Sequence, residues 1–156
     1  MKGTQLAALA ATAIALAACA PTQYSSSAGG QIDWARWTAT LAAPPDGAGP
    51  AAPSVTGTAT LAPGDSISLT RATVQISGAT PGASYPWGVH LGRCGEDKGI
   101  VGISSMYRPI AVGADGRGEA TVVLPYTTPN QGEFFVTVRA PGRASGVVAC
   151  GNLAQR

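Results

Sequence analysis

The runs VTGTATL (residues 55–61) and ATVQIS (residues 72–77) decide how this chain folds. In the first, Val55, Gly57, Ala59 and Leu61 alternate with Thr56, Thr58 and Thr60; in the second, Ala72, Val74 and Ile76 alternate with Thr73 and Gln75. A period of two sends successive side chains to opposite faces of an extended strand, so each run describes one buried face and one wet face. APGD (residues 62–65) lies between them and predicts the connecting turn.

The same pattern extends outward. Upstream, IDWARWTATL (residues 32–41) reads as a first strand with Ala35, Trp37, Ala39 and Leu41 on one side, and AAPPDGAGPAAP (residues 42–53) is a loop broken by proline. Downstream come residues 85–91, EATVVL (119–124), EFFVTVRA (133–140) and GVVACGNL (146–153), with turn signals such as ADGRG, TPNQG and APGR between them. About seven short strands without a helical period, repeat or second domain predict an all-β fold, a Greek-key sandwich or barrel.

The amino terminus follows a different logic. Met1-Lys2, an apolar stretch and LAAC (residues 16–19) describe a secretory signal whose apolar core is shorter than the roughly 20 residues that span a bilayer. LAAC resembles the lipobox of bacterial lipoproteins, which implies a signal over residues 1–18 and a lipidated Cys19 as the first mature residue. Ala20 stands where an Asp would retain such a protein in the inner membrane of enteric bacteria, so the resemblance favours the outer membrane. APTQYSSSAGG (residues 20–30) completes a flexible tether over residues 19–30, leaving residues 31–156 for one domain.

Without Lys2, nine basic residues face eight acidic ones, and no clustered basic face suggests a nucleic-acid partner. Cys94 and Cys150 are the remaining cysteines. In an oxidising compartment a disulfide between them is the expectation, contributing roughly 4 kcal/mol at most on the chain-entropy model.

PWGVHLGRCGEDKG (residues 86–99) holds the only histidine. Alternation places Tyr85, Trp87, Val89 and Leu91 on one face, and Pro86, Gly88 and His90 on the other, away from the aromatic core. Taken in order, VTGTATL, ATVQISGATPGASYPWGVHLGRCG, GADGRGEATVVL, FVTVRA and GVVACGNL resemble copper-zinc superoxide dismutase over residues 55–153. The resemblance implies a Greek-key β-sandwich and matches Cys94 and Cys150 to the family's disulfide, which ties a long loop to the last strand.

The same resemblance implies that the metal site is dismantled. Where the family has a G-x-H-x-H copper motif, Gly88 stands for the first ligand and His90 for the second. Arg139 stands for a copper-binding histidine on a late strand, and Val147 for the arginine that draws in superoxide. The loop EDKGIVGISSMYRPIAVG (residues 96–113) supplies no histidine, and its acids Glu96 and Asp97 are too few for a zinc site that wants about four ligands. His90 is expected to be a solvated or hydrogen-bonded strand histidine, with weak copper ligation as the alternative.

Other constellations are thinner. A hydrolase using His90 with Ser104 or Ser105 lacks a G-x-S-x-G elbow, and no helix is evident to cradle a phosphate. Trp37, Trp87 and Tyr85 are assigned to the core, leaving Trp34 as the better surface aromatic. Arg139, with Arg108 and Arg143, could form an anion patch. The expected protein is a membrane-tethered envelope lipoprotein with a dismutase-like domain, no cofactor and no catalysis, serving to bind an envelope protein or small ligand or to build structure. The alternative is a copper-binding or residual superoxide-handling protein that uses His90. Replacement of Cys19 by Ser is expected to move the protein from the membrane to the soluble fraction on cell fractionation; continued membrane residence would refute the lipid anchor.

Overall fold

The computed structural model describes residues 36–45, 54–142 and 146–156. The expected signal, Cys19, the tether, Trp34, Ala35 and Arg143 lie outside the described residues. Among the described residues ten strands follow in chain order: β1 (Trp37–Leu41), β2 (Thr56–Pro63), β3 (Thr70–Ser77), β4 (Ser84–Tyr85), β5 (Trp87–Arg93), β6 (Glu96–Ile100), β7 (Ile110–Ala111), β8 (Gly118–Leu124), β9 (Phe134–Arg139) and β10 (Val147–Gln155). A 3-10 turn over Ser104–Met106 lies among them. The expected all-β class is the observed one.

Eight strands form one antiparallel sheet in the order β6-β5-β9-β10-β1-β2-β3-β8, curled into a half-barrel. The chain crosses between the two halves of this sheet three times, from β3 to β5, from β6 to β8 and from β8 to β9, which are connections of the Greek-key kind. The short pair β4–β7 and the bridge from Val112 to Gly118 continue the pairing beyond β8.

Register follows from which side chains must be buried. Ala59 pairs with Val74 and Leu61 with Ala72, all at most 2% exposed, while Thr58 opposite Gln75 and Thr60 opposite Thr73 line the outer face. Trp37, Tyr85 and Trp87 lie in the core as expected, and each polar tip is satisfied. Trp37 Nε1 donates to Pro129 O and Trp87 Nε1 to Arg108 O, both at 2.8 Å. Tyr85 Oη accepts from Thr80 N at 3.0 Å and donates to Thr80 Oγ1 at 3.2 Å. Trp37 packs edge-on against Phe134, and Trp87 edge-on against Tyr107.

Four expectations need correction. Ala62 and Pro63 belong to β2, paired with Arg71 and Thr70, so the turn lies two residues later and is closed by Gly64 N donating to Leu69 O at 2.8 Å. The run over residues 85–91 divides at Pro86, which has no amide hydrogen to continue a ladder. The segment expected to open a long loop instead begins with β6, paired to β5 through a two-residue turn. Leu91 is 43% exposed although its register is regular, because it stands on the last rung of the β5–β9 ladder, opposite Phe134.

Leu41 is fully buried at the centre of this core. Leu41→Ala is expected to lower unfolding free energy by about 2–5 kcal/mol, read from denaturant melts; a loss under about 1 kcal/mol would mean that the core does not close around β1.

Candidate functional site

The cluster around His90 is set by β5, β6 and β9. His90 pairs with Phe135 and Gly88 with Thr137 across β5–β9, and a period of two carries Thr137 and Arg139 to the same outer face. That face is expected to be wet, yet His90 is 7% exposed and Thr137 3%. Of the two expected forms, His90 is therefore the hydrogen-bonded strand histidine and not the solvated one, with Asp97 and Ile100 of β6 beside it.

Burial demands partners for both ring nitrogens, and both have them. A carboxylate only accepts, so Nδ1 donates to Asp97 Oδ1 at 3.0 Å; in the neutral ring Nε2 then accepts from Thr137 Oγ1 at 3.1 Å. The Phe135 ring lies 5.2 Å from the imidazole, tilted by 34°. The result is a hydroxyl–imidazole–carboxylate chain reaching from the interior to the surface, where the Asp97 side chain is 44% exposed.

Asp97 is held below the usual carboxylate range. Burial pulls its pKa upward, but a hydrogen bond from Gly99 N at 2.8 Å, the hydrogen bond and charge of His90, and the charge of Arg139 together outweigh it. Arg139 thus acts electrostatically on the carboxylate that holds His90.

The residues at the positions implied for copper do not fit that metal. A Cβ on Gly88 would lie 3.0 Å from Ile100 Cδ1 and 3.3 Å from His90 Nε2, so the side of Gly88 where a first ligand would stand is filled. His90 has both nitrogens engaged, and Arg139 supplies a cation instead of a lone pair. Val147 is half-buried opposite Arg139 in the β9–β10 ladder. Among the described residues no three His, Cys, Asp or Glu side chains converge as a metal group. Nor does the hydroxyl–imidazole–carboxylate chain serve a hydrolase, since Thr137 is buried and Ser104 and Ser105 lie on the 3-10 turn, outside the chain's hydrogen bonds.

Cys94 and Cys150 form the expected disulfide, with Cα atoms 6.0 Å apart. It runs from the β5–β6 turn across β9 to β10, and Cys94 N donates to Asn152 Oδ1 at 2.8 Å beside it. Two shallow depressions, about 530 and 460 Å³, lie elsewhere on the outer face, lined by Thr58, Gln75, Arg117 and Glu119 and by Thr38, Thr60, Asn152 and Arg156 respectively. Neither includes His90, Asp97 or Arg139. Tyr107 is no candidate acid, because burial pushes its phenol up to about 12 against a partly opposing backbone hydrogen bond.

Sequence reasoning missed Asp97 and Thr137 as partners of His90. Thr137 carried a signal, since it shares a strand face with Arg139; Asp97 carried none until β6 was seen to be a strand. Among known proteins, no family model and no curated sequence matches this chain.

The Asp97 shift has a pH consequence. A folded-state pKa below the unfolded value stabilises the protein above the unfolded pKa, and this contribution is lost as pH falls through the folded one. Asp97→Asn is therefore expected to destabilise at neutral pH and to match the wild type well below the carboxylate range, as followed by denaturation midpoints at both pH values; a gap that persists in acid would remove the electrostatic account.

Proposed function

We propose that this chain is an envelope lipoprotein whose domain descends from the copper-zinc superoxide dismutase scaffold and acts without metal catalysis, as a binding or structural module. Dismutation needs an ion that cycles between two oxidation states and is held by several donors in both, with imidazole as the suitable ligand for copper. One observation carries the reading: the sole imidazole of the chain is buried and hydrogen-bonded at both nitrogens, with Ile100 against Gly88. The all-β Greek-key topology and the Cys94–Cys150 bridge support kinship to the scaffold. The domain is tethered through lipid on Cys19 to a membrane, by preference the outer one. Its partner is an envelope protein or small ligand, and its surface near neutrality gives no basis for nucleic acid.

Copper analysis of the full chain after loading and dialysis tests the reading. The wild type is expected to retain no stoichiometric copper and to show no dismutation above buffer, whereas Gly88→His with Arg139→His and Ile100→Ala is expected to gain copper affinity. Stoichiometric copper in the wild type that vanishes in His90→Ala would overturn the proposal in favour of the copper-binding alternative.

A further inference from the structure

Outside the main core, a second buried layer lies on the outer face of the sheet. Phe135 is 2% exposed, Thr137 3%, and His90 and Cys150 7% each, yet Phe135 is separate from the hydrophobic core cluster. Strand pairing sets Asn152, Phe135 and His90 in one row, and Cys150, Thr137 and Gly88 in the next. The cover over these rows is the turn and strand over residues 94–100: the Cys94–Cys150 disulfide and the Cys94 N–Asn152 Oδ1 hydrogen bond cross β9, and Asp97 and Ile100 reach His90 and Gly88.

That cover is lightly attached. Glu96, Asp97, Lys98 and Gly99 are exposed, and Ile100 alone in β6 is half-buried. β6 is a sheet edge, joined to β5 by a ladder with a shifted register. The Arg93 and Lys98 contacts to Glu133 are surface ion pairs, a kind that contributes little. Gly92, Gly95, Gly99 and Gly102 adopt φ of 101°, 90°, 120° and 78°, so the hairpin bends at both ends through backbone conformations that only glycine adopts freely. Three stronger ties remain: the Asp97–His90 hydrogen bond, the hydrogen bond from Cys94 N to Asn152 Oδ1, and the covalent Cys94–Cys150 link.

We propose that the turn and edge strand over residues 94–100 form a redox-latched flap: reduction of Cys94–Cys150 frees this segment to swing away from an otherwise intact sheet, uncovering His90, Thr137 and Phe135. The device does not depend on whether the domain descends from a metalloenzyme. Its reductant is a dithiol. One thiolate attacks Sγ of Cys94, the half-buried sulfur, and Cys150 leaves as a thiolate and takes up a proton. The second thiol of the reductant displaces Cys94 and becomes part of the reductant's own disulfide, so two electrons and two protons reach the protein. Segments with few buried apolar contacts open below the global unfolding free energy, which is the condition β6 meets and β2–β3 does not.

Because His90 is the only histidine, its carbethoxylation by diethylpyrocarbonate reports flap opening directly. In the full chain, treatment with dithiothreitol is expected to speed modification of His90 by about tenfold or more, and to speed amide exchange in β6, while β2 and β3 stay protected. The Cys94→Ser, Cys150→Ser double variant is expected to behave as the reduced protein without reductant. An unchanged His90 rate in reduced protein would overturn the latch. So would loss of protection in β2 and β3 together with β6, since the disulfide would then secure the whole fold instead of a flap.

Discussion

An imidazole that lies on the outer face of a sheet and is nonetheless buried needs hydrogen-bond partners for both nitrogens, and the rest of this protein's chemistry depends on how that need is met. Leaving either nitrogen unpartnered would cost about 1–3 kcal/mol, a sizeable part of a domain's net stability. Thr137 comes from the neighbouring strand of the same sheet, but Asp97 comes from an edge strand folded back beside β5. The carboxylate is drawn in by the ring, by Gly99 N and by the charge of Arg139, and its low pKa records the sum of those attractions. Position 139 thus supports the hydrogen-bonded chain in a place where the dismutase resemblance would put a metal ligand.

The polar chain and the disulfide address the same physical problem. β6 buries too little apolar surface to stay in place by the hydrophobic effect, with four of its five residues exposed. A covalent link from Cys94 to β10 and a charge-assisted hydrogen bond from Asp97 to β5 supply what packing does not. Phe135, one strand over, stays dry beneath them.

How legible this was in advance differs by element. The strands whose side chains alternate cleanly, β2, β3 and β8, were readable because one face meets the core and the other meets water. β6 was not, since EDKGI has no apolar alternation and forms a strand only because β5 offers a free edge. Leu91 misled because alternation gives the face of a side chain and not its depth, and Leu91 stands on the last rung of the β5–β9 ladder. Trp37, Trp87 and Tyr85 were assigned correctly, each having a large apolar body to bury.

By itself the sequence determined the class of fold, the inward-facing residues of its long strands, the pairing of the only two cysteines in the domain, and the presence of a single imidazole. Those properties follow from local periodicity and from counting, which need no third dimension. Only the tertiary structure decided that His90 is covered, that Asp97 and Thr137 hold it, and that Ile100 fills the space beside Gly88. These depend on which strands become neighbours in the sheet, and that is settled by the packing of the whole core rather than by any one stretch of chain.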